Sequence, residues 1–116
     1  MDKFRMPKYI AIDGSEIIDW DSFHDVFARA LGFPELYGRN MNAWIDCMSY
    51  VDQPEAGMTS VHLDQHDVLV LCITGVKAMQ ERCRDVYDAL VECAAFVNHR
   101  RRETGDHACL ALSFSV

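Results

Sequence analysis

A run of six apolar residues, Val68–Ile73, limits the folds open to this chain more than any other segment does. Asp67 precedes the run and Thr74-Gly75 follows it, so turn-forming residues bound it at both ends. The run has the length of a strand, and it contains no polar residue at alternate positions that would face water. Continuous apolar strands are typical of parallel sheets covered on both faces. The run therefore predicts a strand of a parallel sheet, buried on both faces.

Further strands and helices are predicted on either side of this run from apolar spacing, caps and turn residues. The predicted strands are residues 8–12, 68–73 and 108–114. The predicted helices are the segment from the N-cap residue Asp19 to Gly32, residues 38–51 and residues 77–101. The last helix is predicted to bury Met79, Cys83, Val86, Tyr87, Leu90, Ala94 and Val97.

These elements follow one another in the order β-α-α-β-α-β. Strands that are separated by helical crossovers pair in parallel, and the crossovers are right-handed. The sequence therefore predicts a small α/β fold, in which a three-stranded, mainly parallel sheet packs against helices. At 116 residues the chain is long enough for one hydrophobic core, so we expect a single domain over residues 1–116.

Composition and cysteine content favour a reduced cytoplasmic protein. Half of the residues are apolar, and no apolar run is long enough to cross a membrane. The N-terminus has no apolar segment of signal-peptide length. The five cysteines are odd in number and lie within apolar patterns without CxxC spacing. Buried free thiols in the cytoplasm are therefore expected rather than disulfides or a zinc site.

The negative charge of the chain is concentrated in its first half. The formal net charge is −7, and residues 9–55 carry nine acidic and only two basic side chains. An acidic surface repels nucleic acid and attracts basic proteins, although acidity also serves solubility alone. The charge pattern therefore favours a protein partner and disfavours nucleic acid.

Residues 33–48 form a turn followed by an amphipathic helix. Pro34 disfavours helix at the residue before it, and Gly38 permits a sharp entry into the next helix. Asn42 and Asp46 are four residues apart, so they are neighbours on the solvent side of that helix. The apolar residues on its other face are Met41, Trp44, Ile45 and Met48. Trp44 is therefore predicted to lie in the core.

Several residues of this region have the order and spacing of a known family. In the turn and helix they are Pro34-Glu35, Tyr37-Gly38, Asn40 and Asp46-Cys47. Upstream they are Ile12, Gly14, Ile17, His24 and Leu31. Through them residues 9–48 resemble barstar, the bacterial intracellular inhibitor of an extracellular guanyl-specific ribonuclease. Beyond about Val51 the resemblance is reduced to the order of the elements.

The resemblance implies a barstar-like fold and a non-enzymatic inhibitor or immunity protein. Such a monomer would block the active site of a cognate ribonuclease or ribonuclease toxin in a 1:1 complex. In barstar-like inhibitors, the aspartate at the position of Asp46 meets the arginine and histidine groups that grip the RNA phosphate. A carboxylate suits this role, because it accepts charge-assisted hydrogen bonds from guanidinium. The implied partner-binding residues are Leu36, Tyr37, Gly38, Arg39, Asn40, Asn42, Ala43 and Asp46.

The sequence also departs from the family pattern at charged and aromatic positions. Asn42 replaces a second helix aspartate, and Ile45 replaces an exposed tryptophan. Arg39 stands where the family often has an acid, and Asn98 aligns with an acid near the end of the last helix. These changes remove negative charge, which indicates a different, differently charged ribonuclease or toxin. The alternative interpretation is an acidic protein-interaction module with a non-nuclease partner.

No catalytic, cofactor or metal site is predicted. The chain contains neither GxGxxG nor GxxxxGK, and no nucleophile lies in a GxSxG motif. His62 and His66 are four apart, but they fall in a predicted loop and are interpreted as surface histidines. Arg100-Arg101-Arg102 lies at the end of a predicted helix, where the helix dipole favours cations. The acidic residues interpreted as caps and turn formers are Asp13, Asp19, Asp21 and Asp25.

Overall fold

The computed structural model describes residues 7–65 and 67–116 as a three-stranded sheet with four α-helices. The strands are β1 (Lys8–Asp13), β2 (Leu69–Thr74) and β3 (Leu110–Phe114). The helices are α1 (Trp20–Leu31), α2 (Met41–Ser49), α3 (Val76–Arg82) and α4 (Arg84–Glu103). Short 3₁₀ turns lie at Gly14–Glu16 and Pro54–Ala56.

The sheet has the strand order β1-β2-β3, and both neighbouring pairs are parallel. Ile10, Leu71 and Leu112 lie at the same level of the register, and their side chains share one face of the sheet. The helices occupy the connections between the strands, as parallel pairing requires. The predicted α/β class and the order β-α-α-β-α-β are confirmed, because α3 and α4 together form the second crossover.

One face of β2 is more deeply buried than the other, and this corrects the prediction of burial on both faces. Leu69, Leu71 and Ile73 are completely buried, whereas Val70 and Cys72 on the opposite face are only half-buried. Tyr9 of β1 lies on the same face of the sheet as Val70 and is 64% exposed. The strand order explains the difference. When strands follow one another in sequence order, successive right-handed crossovers carry their helices to the same side of the sheet.

The single helix predicted at residues 77–101 is two helices, α3 and α4, which meet at Cys83. Cys83 has φ −144° and ψ 74°, so its backbone is not helical. Met79 before the break and Val86 after it are both buried. Because the apolar repeat continues across the break, periodicity alone does not reveal it. Arg82 fixes the end of α3 by donating hydrogen bonds of 2.8 and 2.9 Å to carbonyl oxygens that follow β1.

Local sequence signals set both ends of α1. The Asp19 carboxylate accepts a hydrogen bond from the backbone N–H of Ser22, whose hydroxyl accepts one from the backbone N–H of Asp19. At the other end Gly32 adopts φ 67° and ψ 49°, a left-handed conformation suited to glycine. The buried ring of Phe27 meets Trp44 edge-on at 5.7 Å between centroids. Trp44 is fully buried, which confirms its predicted place in the core.

All five cysteine thiols are free. Cys47, Cys83 and Cys109 are buried, and Cys72 and Cys93 are half-buried. Burial raises the pKa values of Cys47 and Cys109 to about 11, so both thiols are protonated at neutral pH. These residues therefore act as small apolar side chains.

Across residues 7–65 and 67–116, none of the helices combines the length and the apolar character needed to traverse a lipid bilayer.

Candidate binding site on the turn and helix α2

Tyr37 anchors the turn that leads into α2. Its ring lies 4.7 Å from that of Phe33, and its hydroxyl lies 2.7 Å from Nδ1 of His24 on α1. The backbone N–H of Tyr37 donates a 2.9 Å hydrogen bond to the carbonyl of Pro34, which closes the turn. The neighbouring Leu36 is 93% exposed. The turn therefore holds Tyr37 against α1 and presents Leu36 to solvent.

The hydrogen bond between His24 and Tyr37 joins two neutral groups. Burial raises the pKa of the Tyr37 hydroxyl above its ordinary value. Burial also lowers the pKa of His24, and the nearby Arg39 lowers it further, while Asp21 and Asp25 oppose this shift. Neutral groups are favoured because each loses hydration in this partly enclosed position. The pair thus secures the turn without adding charge to the surface.

Arg39 directs its charge towards α1. Its Nη1 lies 2.8 Å from a carboxylate oxygen of Asp25, and its Nη2 donates a 3.0 Å hydrogen bond to the backbone carbonyl of Asp21. Nη2 also lies 3.5 Å from the Asp21 carboxylate. The backbone of Arg39 has φ 53°, which is unusual for a residue other than glycine. Arg39 was predicted to bind a partner, but its guanidinium already has acidic partners within this chain.

Asn40 determines where α2 begins. Its side-chain oxygen accepts a 2.8 Å hydrogen bond from the backbone N–H of Ala43, a standard N-cap contact. The predicted helix at residues 38–51 is therefore shorter at both ends, because the observed helix runs from Met41 to Ser49. A Cβ at Gly38 would lie 3.3 Å from the Ala43 methyl group, so a larger residue there would press on the first turn.

The partner-binding residues predicted from the sequence lie on one continuous segment, although their exposure differs. Tyr37 and Ala43 are half-buried. The exposed members are Leu36, Gly38, Arg39, Asn40, Asn42 and Asp46. On α2 itself, Asn42 and Asp46 both face solvent, while Trp44 and Ile45 face the core. The amphipathic pattern of α2 is thus as predicted, and an amide and a carboxylate stand one turn apart.

Asp46 is paired with an arginine from a distant part of the chain. Nη1 of Arg100, on α4, lies 3.3 Å from Oδ1 of Asp46. The Asp46 side chain is 54% exposed and the Arg100 side chain 41% exposed. Asp46 begins the last turn of α2, where the helix dipole disfavours an acid, so a nearby cation is favourable. Local sequence patterns do not reveal this pair, because 54 positions separate the two residues.

A buried ion pair lies next to these two residues. Arg101 contacts both carboxylate oxygens of Asp52, at 3.0 and 2.6 Å. It also donates hydrogen bonds to the backbone carbonyls of Ser49, at 3.1 Å, and His107, at 3.0 Å. The hydrogen bond to Asp52 raises the pKa of Arg101 above its ordinary value. This pair, which the sequence analysis also missed, fastens the end of α2 to the end of α4.

Two shallow clefts border the segment. One, of about 240 Å³, is lined by Trp20, His24, Arg39, Asn40 and Met41. The other, of about 190 Å³, is lined by Ser49, Tyr50, Gln53, Arg100, Arg101, Thr104 and Asp106. Such volumes suit a protruding side chain better than a cofactor.

The other candidate groups are explained by local contacts. The carboxylates of Asp13 and Asp19 accept hydrogen bonds from Ser15 and Ser22, as turn and cap residues do. Among the described residues, no group of three acidic, histidine or cysteine side chains could hold a metal ion. His62 is exposed, whereas His66 lies outside the described residues.

A three-stranded parallel sheet whose strands are connected by helices places this chain among the small α/β proteins. The family described as Barstar (barnase inhibitor) matches residues 8–113. The chain therefore belongs to the Barstar family. It is also similar to the protein named "Putative ribonuclease inhibitor YrdF" from Bacillus subtilis (strain 168). The two are 30% identical over 92 residues, which cover 72% of this chain and 97% of that protein.

Proposed function

We propose that this protein is a non-enzymatic inhibitor that binds the active site of a ribonuclease or ribonuclease toxin. The observation that carries the proposal is the exposed Asp46 carboxylate on a helix that is fixed by the buried Trp44. Family membership and the name of the Bacillus relative support it. We further infer that the protein acts in the bacterial cytoplasm as an immunity protein.

The chemistry of Asp46 suits an active site that binds RNA phosphate. A carboxylate accepts hydrogen bonds from the arginine and histidine groups that would otherwise bind the phosphate. It offers no bond for the nuclease to cleave. Because α2 is capped by Asn40 and anchored by Trp44, little backbone freedom is lost on binding. A central charged anchor of this kind can dominate the affinity of a complex.

The remaining contact residues surround Asp46 on the same segment. Leu36 offers apolar area at the exposed tip of the turn, and Asn42 offers an uncharged amide one helical turn from Asp46. We expect the residues Leu36, Tyr37, Gly38, Arg39, Asn40, Asn42, Ala43 and Asp46 to form or support the contact surface in a 1:1 complex.

The test is inhibition of RNA cleavage at low salt. The purified protein is titrated into barnase and into any ribonuclease encoded beside its own gene. We expect stoichiometric loss of cleavage, a loss of affinity of about 100-fold or more for Asp46→Ala, and a loss below about 10-fold for Asn42→Ala. Equal affinities for the unmodified protein and Asp46→Ala would contradict the proposed role of Asp46.

A second candidate is an acidic protein-interaction module with a non-nuclease partner. The observation that favours it is the pairing of Asp46 with Arg100, together with the uncharged Asn42. This candidate predicts full ribonuclease activity in every titration and capture of a different, basic protein by the immobilised chain. Inhibition that depends on Asp46 would exclude it.

A further inference from the structure

We propose that Arg100 belongs to the binding surface and that the ribonuclease places a carboxylate against it, beside the cation that meets Asp46. The proposal rests on the function proposed above and adds the charge pattern of the partner. It makes the end of α4 a part of the site, next to the turn and α2. The partner would then present a cation and a carboxylate a few ångströms apart.

The pair of Asp46 and Arg100 can exchange partners on binding. Both side chains are about half exposed, and the closest nitrogen and oxygen are 3.3 Å apart. Ion pairs in such positions are weak in water, because solvent screens them. Each head group is thus open to a stronger, desolvated contact when a second protein covers the surface.

The backbone position of Arg100 is fixed by the buried contacts of its neighbour, Arg101. The neighbouring Arg101 is buried in its contact with both oxygens of Asp52, and it donates to the carbonyl of Ser49 at the end of α2. These contacts hold α4 and α2 together within one residue of Arg100. The arginine therefore stands at a set place beside Asp46, as a recognition residue requires.

Charge balance then determines what the partner must carry. When Asp46 meets a cation of the ribonuclease, Arg100 lies within a few ångströms of that same cation. Burying these two cations together without an acid would cost far more free energy than the ion pair between Asp46 and its cation contributes. Active sites that cleave by acid–base chemistry contain a general base, and a carboxylate is one of the groups that serve. A carboxylate of this kind, beside a phosphate-binding cation, matches the pair on the inhibitor.

Two further observations agree with this assignment. Arg39, the cation on the turn, already has the acids Asp21 and Asp25 as partners. The cleft of about 190 Å³ next to Arg100, bordered by the half-exposed Tyr50, has room for a partner side chain. Arg100 is therefore better placed than Arg39 to receive a new acid.

The test is a reversal of charge at residue 100. The sign of the resulting change in affinity distinguishes a partner carboxylate from a partner surface made only of cations. Arg100→Glu and the control Arg102→Glu change the net charge equally, but residue 102 lies on another face of α4. Binding to barnase, and to any ribonuclease encoded beside this gene, is measured by titration. We expect Arg100→Glu to weaken binding about 30-fold or more and Arg102→Glu to change it less than about 3-fold.

A partner surface made only of cations would give the opposite sign. Arg100→Glu would then bind more tightly than the unmodified protein, and the proposal would be overturned. If the glutamate variant does not fold, Arg100→Gln is used instead. We expect Arg100→Gln to weaken binding about 10-fold, and an unchanged or tighter affinity would contradict the proposal. Binding that depends on Asp46 but not on Arg100 would overturn this proposal alone. No binding by the unmodified protein would overturn the proposed function as well.

Discussion

The two sides of the candidate site are built in different ways. On the turn side, Tyr37 and Arg39 bind groups of α1 through a neutral hydrogen bond and surface ion pairs. On the side where α2 meets α4, an exposed pair, Asp46 with Arg100, lies next to the buried pair of Asp52 and Arg101. The turn side is held by residues close in sequence, and the other side by residues about fifty positions apart.

This difference assigns different tasks to the two sides. The cation of the turn is already satisfied by acids, and the Tyr37 hydroxyl is already bound, so the turn contributes mainly shape and the exposed Leu36. The α2–α4 side keeps a carboxylate and a guanidinium at the surface. Under the proposed function we therefore expect charge recognition to be concentrated where two distant segments meet, and three substitutions test how each side is held in place.

The largest effect on stability is expected from Asp52→Ala. It leaves the Arg101 guanidinium buried without its acid, which typically costs about 3–5 kcal/mol. The control is Asp88→Ala, which removes the exposed pair with Arg84 and should cost less than about 0.5 kcal/mol. Urea unfolding measures both free energies. Similar losses in the two variants would show that the buried pair does not fasten α2 to α4.

A smaller effect is expected on the turn side from Tyr37→Phe. The variant keeps the ring but removes the hydroxyl, so the His24 nitrogen loses its partner. The expected loss of unfolding free energy is about 1–2 kcal/mol. Tyr50→Phe is the matched control, because Tyr50 is 39% exposed, and its loss should stay below about 0.5 kcal/mol. If Tyr37→Phe is as stable as its control, the hydrogen bond between His24 and Tyr37 does not stabilise the turn.

The smallest effect is a dependence of stability on pH through His24. Its pKa in the folded protein lies below the ordinary value of 6.5, so the unfolded chain binds a proton that the folded chain does not. This contribution is complete above about pH 6.5 and decreases as the pH falls towards the lower folded-state pKa. Serine hydrogen bonds lower the pKa values of Asp13 and Asp19. These two residues therefore change the stability with pH only below their ordinary pKa of 3.8.

Unfolding free energies measured from about pH 7.5 to about pH 5 test this dependence. His24→Gln should flatten the decrease, and His62→Gln, at an exposed position, should leave it in place. If the unfolding free energies of both variants decrease with falling pH as those of the unmodified protein do, His24 does not cause the pH dependence. The neutral state of the pair between His24 and Tyr37 would then be contradicted.

Short-range patterns predicted much of this structure. The order of the elements, the cap at Asp19 and the left-handed end at Gly32 depend on residues within a few positions of one another. The exposure of Asp46 and the burial of Trp44 follow from helical spacing in the same way. The break at Cys83 was not predicted, because the apolar repeat continues through it.

By itself the sequence determined the fold class, because periodicity, caps and turns act locally, and its resemblance to the Barstar family pointed to the segment of the candidate site. Only the tertiary structure decided that one face of the sheet is less deeply buried, since this depends on the strand order and on the side to which the crossovers pass. It also decided which charges meet. Asp46 with Arg100, and Asp52 with Arg101, are 54 and 49 positions apart, so folding alone brings each pair together.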